Sequence, residues 1–542
     1  MSNSRTMKPN RAPLLCVLAL VLAATAAAGS IERDVTPSGN ELDITLTVTD
    51  LPVGGIVEAL PDSCTWVETD HPADRTRVSG EHVAFAVIGE ETIQYRIQGP
   101  SEAAEGFAGI WEAYHTLAGA SGTVGDDEPQ TTESETTESS GLLTAEAETV
   151  PCDLDGDGTV TDSELATAIL DSLDARYMGG TGEAPSVIDL QDAAFVIEHW
   201  DGQALTITDT AEPGKSEGRT RTVTRPLRRI VPYQAYSPEI MQLLDVEPAR
   251  IVGVPTGGMG GINVLKDPVF FPEYQEKLDV GGVPRSPNYE QIVLAHPDAI
   301  ILTVGSSSDE IETRLGSMDP SIRFFRFYCY MPEFYADEVQ KLGLLLGKEV
   351  EADRYFEFRG NVLDTVAEVV GRISTEDRVS VYIESSTGDY KSFGKGSHRD
   401  EMIEFAGGRN IITETTGSNS GVDINPEEVI IRNPDVIIKR VGGSYSDSDD
   451  DRSSLLETTY RSIMNRPNLG QTKAVRNGRV HLIHGTLDYG AQEFIGTAYL
   501  AKLFYPDLFP DLDPRAIHQQ YLSEFMRLDY DLNEHPAFVY PT

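Results

Sequence analysis

Residues 290–301 read EQIVLAHPDAII, and residues 427–438 read EEVIIRNPDVII. Each stretch sets a glutamate seven residues before a proline and follows Pro-Asp with a short aliphatic run, in otherwise dissimilar surroundings 137 residues apart. Around the first lie RIVPYQAY, RIVGVPTGG, DAIILTVGS and RFFRFYCY, short apolar runs that end in Gly, Ser or Tyr loops. Amphipathic segments such as SPEIMQLLD and YADEVQKLGLLLG separate them. After residue 375 the pattern restarts with RVSVYIES, DVIIKRVGG and RVHLIHGT, again between helical stretches such as HRDEMIEFAGG. Strand–helix alternation in two blocks predicts two α/β lobes, each on a mainly parallel sheet. Lobe one takes in about residues 205–348 and lobe two about 374–542.

Between the blocks, residues 349–373 place Ala352, Tyr355, Phe356, Val362, Leu363, Val366, Val369, Val370 and Ile373 on one helical face. Twenty-five residues at 1.5 Å each make a helix about 37 Å long. Gly360 inside it costs about 1 kcal/mol against alanine, which strains its continuity but not its existence. One such helix would join the lobes as a stiff backbone.

Upstream, DLDGDGTVTDSE is the most specific short motif in the chain. Asp153, Asp155 and Asp157 stand at loop positions one, three and five, with Gly158 at six for the sharp turn. Thr159 offers a backbone carbonyl at seven, Thr161 sits at nine, and Glu164 closes the loop at twelve. Calcium takes six to eight oxygen ligands, and this spacing gathers carboxylates around one point. SVIDLQDAAFVIEHW repeats the loop end and exiting helix, but Pro185 and Ser186 replace the early ligands.

Residues 41–100 alternate apolar and polar in LDITLTVTD, HVAFAVIG and TIQYRIQG, the mark of half-buried antiparallel strands. They predict a small immunoglobulin-like β-sandwich over 31–120. The acidic Ser/Thr-rich stretch 121–150, containing GDDEPQTTESETTESSG, lacks the apolar surface to fold and reads as a linker. A basic start followed by LLCVLALVLAATAAA and small residues marks 1–30 as a secretory signal, with cleavage near Ala28 to Ser30. Cys16 lies inside the apolar run without the small residue a lipoprotein cysteine needs before it, so no lipid anchor is expected. The protein is then exported, to the extracellular or cell-envelope face.

A net charge of -44 from 43 basic and 87 acidic residues would repel a duplex, which excludes nucleic acid as a partner. Cys64, Cys152 and Cys329 are too few and too scattered for a disulfide framework. Neither a G-x-S-x-G elbow nor HExxH occurs, so no enzyme is expected.

Residues 205–542 resemble the substrate-binding proteins of metal-chelate ABC importers, which capture siderophores, haem and cobalamin. The likeness rests on RTRTVTRPLRRIV, NYEQIVLAHPDAIIL, SFGKGSHRDEMIEFAGGRNI and NPEEVIIRNPDVIIK, in that order. It implies that Glu290 and Glu427 each grip one subunit of a permease dimer. A carboxylate in a first helical turn is favoured by the helix dipole yet stays exposed for a partner. Residues 151–202 resemble a dockerin, a calcium-folded module that plugs into a cohesin, though Glu164 where dockerins usually close with aspartate leans toward an ordinary EF-hand. The expected architecture is therefore a β-sandwich, an EF-hand/dockerin-like module, and a two-lobed α/β binding protein joined by one long helix.

In open α/β lobes, ligands lie outside the carboxyl ends of the strands. That selects Tyr233, Tyr236, Lys395, His398, Arg440 and His484 as the cleft. Aromatic and basic residues suit a flat, negatively charged chelate. The expected function is capture of an iron complex, siderophore or haem-like. A corrinoid binder of the same class, or a calcium-dependent cell-surface scaffold, stands as the alternative.

Overall fold

The computed structural model describes residues 29–125, 149–214, 217–256, 263–414, 421–467 and 469–541. Most of the signal sequence with Cys16, most of the acidic linker and most of TGGMGG (256–261) lie outside these residues. The chain divides into two compact units, the first made mainly of residues up to Phe195 and the second mainly of those from Val196, with Asp157–Thr159 assigned to the second.

In the first unit, period-two alternation becomes nine strands. They are β1 (Ser30–Ser38), β2 (Glu41–Thr49), β3 (Val53–Ala59), β4 (Thr65–Thr69), β5 (Thr76–Ser79), β6 (His82–Ile88), β7 (Thr92–Gln98), β8 (Ala108–Ala113) and β9 (Ala120–Thr123). Two antiparallel sheets, β1-β2-β7-β4 and β5-β6-β3-β8-β9, enclose a core that includes Leu42, Ile44, Leu46, Phe85, Ile93, Ile97 and Trp111. The last strand runs past the expected boundary at 120, because β9 is the edge that pairs with β8.

The sandwich and the first helix after it belong to the same compact unit. Helix α1 (Asp162–Leu173) lies on β3 and β6. A Cβ at Gly55 would stand 2.7 Å from Leu173 Cδ1, so any larger residue there would force that side chain to shift. Arg176 then clamps Glu112 with two bonds of 2.6 and 2.5 Å, and Arg77 meets Asp171 at 2.7 Å. Helix α2 (Val187–Trp200) completes the module's sequence. Among the described residues, Cys64, Cys152 and Cys329 form no disulfide.

The second unit opens with the hairpin β10 (Leu205–Thr208) and β11 (Thr220–Val223). Lobe one then carries β12 (Ile230–Val231), α3 (Ser237–Leu243), β13 (Gly253–Val254), β14 (Leu278–Asp279), the small hairpin β15 (Gly281–Gly282) and β16 (Ser286–Pro287), and α4 (Tyr289–Leu294). It continues through β17 (Ala299–Leu302), α5 (Ser306–Met318), β18 (Arg323–Arg326) and α6 (Pro332–Leu346). Strands β12, β17 and β18 are parallel, and a bridge from Ile230 to Ile251 links them to the parallel pair β13 and β14.

Helix α7 (Glu349–Val370) follows, 22 residues long and unbroken at Gly360, whose missing side chain faces open space. It ends three residues earlier than expected. Lobe two consists of β19 (Ser380–Glu384), β20 (Lys391–Ser392), α8 (His398–Phe405), β21 (Arg409–Asn410), β22 (Val422–Asp423), α9 (Pro426–Arg432) and β23 (Val436–Val441). Then come α10 (Asp449–Met464), α11 (Lys473–Arg476), β24 (Val480–His484), α12 (Glu493–Phe504), α13 (Pro514–Gln520) and β25 (Val539–Tyr540). Strands β21, β19, β23 and β24 run parallel at its centre.

Helix α7 is not the sole tie between the lobes. Residues from 491 to 527 return to it and to α3. Tyr355 donates to the Ala491 carbonyl at 2.8 Å, Tyr521 to Glu239 at 2.8 Å, and Phe358 stacks on Phe525 at 5.0 Å. Arg527 bonds Asp245 at 3.0 Å. A clam on one stiff rod is thus braced by a second, C-terminal strut.

Candidate functional site

Each copy of the repeated phrase folds the same way. Asn288 caps α4 by accepting from the Gln291 N–H at 3.2 Å, and Asn425 caps α9 by accepting from the Glu427 N–H at 3.0 Å. Each helix gives way before its proline at a residue with positive φ, His296 and Asn433, both at 45°. A left-handed residue followed by proline is a common helix stop. The aspartate of Pro-Asp then anchors the new strand. Asp298 accepts from the Arg228 and Arg229 N–H groups at 2.7 and 3.1 Å, at the head of β12. Asp435 accepts from the Ser380 N–H and hydroxyl at 3.0 and 2.7 Å, at the head of β19. Glu290 and Glu427 are exposed in the first turn of their helices, and among the described residues neither forms an ion pair. Glu428 does, with Arg432 at 3.1 Å.

The carboxyl ends of the strands meet where the lobes face each other. Tyr236, at the start of α3, packs 5.0 Å from Tyr330 and 5.8 Å from Tyr489, whose own rings are 5.5 Å apart. Tyr236 and Tyr330 belong to lobe one and Tyr489 to lobe two. Beside them Asp488, buried, is held by Arg399 at 2.9 Å and by Arg440 with its second bond at 2.9 Å. Burial raises the Asp488 carboxyl, but the two guanidinium groups outweigh it and hold the pKa below the usual range. Within this trio one positive charge is left in surplus. Arg399 is also sandwiched between the Phe393 and Tyr489 rings, 4.3 Å from each, and donates to the Tyr489 hydroxyl at 3.1 Å. Planar guanidinium on an aromatic face is a rigid arrangement that keeps its donors aimed.

The six residues expected from sequence do not gather in one place. Tyr236, His398 and Arg440 belong to this cluster, His398 lying 5.1 Å from the Tyr489 ring. Burial lowers the pKa of His398, which favours the neutral imidazole. Lys395 is exposed, its backbone N–H donating to the Glu414 carbonyl at 3.0 Å. Tyr233 packs in the lobe-one core with Val231 and Ile300, its hydroxyl donating to Gly282 at 2.6 Å. His484 is buried against Phe538, 4.9 Å between rings, with Nδ1 on the Thr486 hydroxyl at 2.9 Å. Burial, then Arg452, pushes its pKa down to about 3. Strand ends were correctly located, but alternation along a strand does not say how far a loop carries the next side chain. Sequence reasoning missed Tyr330, Phe393, Arg399, Asp488 and Tyr489. A local signal was present for four of them: Phe393 stands two residues before Lys395, Arg399 directly follows His398, and Asp488 and Tyr489 follow His484 by four and five, whereas Tyr330 lies near no chosen residue.

In the first unit, carboxylate oxygens of Asp153, Asp155 and Glu164 all lie within 4.8 Å of one another. Glu164 Oε1 accepts from the Leu154 and Asp155 N–H groups at 3.0 and 3.3 Å, and Oε2 from the Thr161 N–H and hydroxyl at 2.9 Å each. Thr161 in turn caps α1, completing a reciprocal capping box. Burial raises the Glu164 carboxyl, and these hydrogen bonds more than reverse it, so it ionises below its usual range. Asp157 accepts from the Thr159 N–H at 2.8 Å. Hard oxygen donors at this density fit a calcium ion better than a softer metal.

Residues 253–487 match the family model described as periplasmic binding protein. An uncharacterized lipoprotein of Methanocaldococcus jannaschii is 26% identical over 348 residues, 60% of this chain and 84% of that protein. The molybdate-binding protein MolA of Haemophilus influenzae is 26% identical over 170 residues, 30% of this chain and 44% of its own length. Among solved structures, the TroA-like periplasmic binding protein FepB of Veillonella parvula is 25% identical, covering 58% of this chain and 95% of its own, with a TM-score of 0.49. MolA bound to molybdate is 20% identical over 60% of this chain and 99% of its own, at 0.48. Residues 253–487 of the two-lobed unit are therefore similar to the periplasmic binding proteins.

Proposed function

We propose that this chain is the exported substrate-binding component of an ABC importer and captures an anionic iron chelate, siderophore- or haem-like, between its lobes. One observation carries the proposal: Tyr236, Tyr330 and Tyr489 pack together, and Tyr489 contacts Arg399, one of two guanidinium groups that share the Asp488 carboxylate. A flat conjugated ligand gains from aromatic faces, and its negative charge gains from the surplus guanidinium. A corrinoid would use the same faces but needs no surplus charge, and a cell-surface scaffold needs neither. Titrating the full chain with a ferric siderophore, haem and cobalamin separates these readings. Saturable binding of one ferric chelate that weakens at least tenfold in Arg440→Ala supports the proposal, and silence toward all three overturns it.

Glu290 and Glu427 are assigned to the permease dimer, one per lobe. Replacing both with alanine is expected to leave chelate affinity unchanged and to impair uptake into vesicles holding the importer. A truncated member of a charge pair costs about 2–5 kcal/mol where its partner stays buried, and less at an exposed rim. Normal uptake by the double variant would reduce both to helix caps.

The acidic loop is assigned to calcium, with Asp153, Asp155, Asp157 and Glu164 giving side-chain oxygens and Thr159 its carbonyl. Thr161 holds Glu164 in place. The ion would neutralise converging carboxylates that otherwise repel. At 100 times its dissociation constant it contributes about 2.7 kcal/mol to folding. EDTA is expected to lower the melting of residues 29–200 in the full chain, and Asp153→Ala with Glu164→Ala to abolish that response. With α1 already seated on the chain's own sandwich, that helix has no apolar face left for a cohesin-like partner. The Methanocaldococcus jannaschii relative is named a lipoprotein, so export with or without a lipid on Cys16 is decided by mass spectrometry of the mature chain.

A further inference from the structure

The two docking helices share a second feature. One turn beyond Glu290 stands Leu294, 60% exposed, and one turn beyond Glu427 stands Ile431, 76% exposed. Among the described residues of the two-lobed unit, the large hydrophobic side chains exceeding Leu294 in exposure are Val350 at 77% and Ile431 itself. Residues four apart on a helix lie on one face. Each lobe thus presents a carboxylate with an uncovered aliphatic side chain directly beside it. Each helix turns one aliphatic residue fully inward, Ile292 and Val429.

Exposed apolar groups are ordinary when scattered. Here they recur at the same offset from the same acid in both lobes, on helices that share an asparagine cap, a left-handed stop and a Pro-Asp anchor. Building on the permease docking proposed above, we infer that each contact is bipartite: Glu290 with Leu294, and Glu427 with Ile431. The partner is a two-fold symmetric membrane dimer, each subunit offering a guanidinium or ammonium group beside an apolar socket. The charge steers and orients, while the aliphatic knob supplies contact that salt does not screen. A solvent-facing acid alone is a weak anchor, and burying a leucine or isoleucine beside it adds the apolar contribution it lacks.

The test uses the full chain with its own importer and ATPase reconstituted in vesicles, reading the chain concentration that half-maximally stimulates ATP hydrolysis. This readout needs no knowledge of the ligand. Leu294→Ser with Ile431→Ser should raise that concentration about tenfold or more per knob. Its dependence on salt should remain, and Leu294→Met with Ile431→Val should largely restore it. Glu290→Gln with Glu427→Gln should raise it too, and flatten the salt dependence. Both knobs are at the surface, so melting should be unchanged in every variant. If the serine pair stimulates like the parent while the glutamine pair is impaired, the knobs are incidental and this inference falls with the docking reading intact. If neither pair is impaired, both fall.

Discussion

The two lobes carry the same twelve-residue phrase yet hold its aspartate in opposite electrostatic settings. In lobe one Asp298 accepts from backbone N–H groups of Arg228 and Arg229, and burial raises its pKa. In lobe two burial also raises Asp435, but Ser380 and Lys473 outweigh it and hold the pKa below the ordinary range. The difference extends to the deeper acids. Glu239 of lobe one, fully buried among Gln492 and Tyr521 with no cation bonded to it among the described residues, is pushed up to about 7. Glu384 of lobe two, buried, is raised by burial but held down overall by Arg466 and Lys439 at 2.6 and 2.8 Å. What the repeat preserves is backbone geometry: cap, stop and anchor. The charges around it diverged.

The sharpest way to break this contrast is to neutralise the buried glutamates. Glu384→Gln leaves Lys439 buried without its counter-charge and Arg466 with only the exposed Asp389, and such a loss costs about 3–5 kcal/mol. Glu239→Gln should do the reverse. A carboxyl whose folded pKa lies above its unfolded value contributes most below about pH 4.3, and that contribution is lost as pH rises toward 7. Denaturant titrations from pH 4 to 8 should show a decline that Glu239→Gln flattens, leaving the variant at least as stable as the parent at pH 8. For Glu384 the sign is opposite, since its folded pKa lies below the unfolded one. Its contribution is complete above about pH 4.3 and is lost as pH falls through the folded value. Equal losses from both substitutions at pH 8 would sink the distinction between the lobes.

A smaller effect probes what the lobes share. Val at His296 or Asn433 would have to adopt a φ of 45° with a branched Cβ. A left-handed conformation costs a side-chain-bearing residue about 1–2 kcal/mol, more when branched. Both substitutions should therefore destabilise by a similar amount, whereas glycine at either site should be neutral or stabilising. Unequal costs would mean that the helix stops are not equivalent.

How far the sequence revealed this follows from which interactions are local. The alternation of β2 and β7, the helix of 349–370 and the Pro-Asp strands are set by neighbours a few residues apart, so pattern alone located them. The acidic loop was legible for the same reason, since its spacing is its geometry. Two things were not. The docking of α1 on β3 and β6 depends on Gly55 leaving room for Leu173, 118 positions away, and no periodicity reports that. The candidate cleft was half legible: of the six residues expected there, Tyr236, His398 and Arg440 come together in the aromatic cluster. Asp488 and Tyr489 were missed because the loop after β24 carries them four and five residues beyond His484, which turns inward.

The smallest expected effect isolates the anchor itself. Asp298→Asn keeps an acceptor for the Arg228 and Arg229 N–H groups and removes a charge that burial disfavours, so at pH 7 it should be neutral or mildly stabilising. Asp435→Asn keeps an acceptor for Ser380 but gives up charge-assisted bonds, at about 1 kcal/mol. Its pair with Lys473, 3.1 Å apart and partly exposed, adds little in solvent. Lowering the pH should close the gap. Asp435 loses its advantage as it protonates below its unfolded value, while Asp298, already protonated there, changes nothing further. Urea midpoints of both variants and the parent at pH 7 and pH 3.5 measure this. A gap that persists undiminished at the lower pH would show that hydrogen-bond geometry, and not ionisation, separates the two anchors.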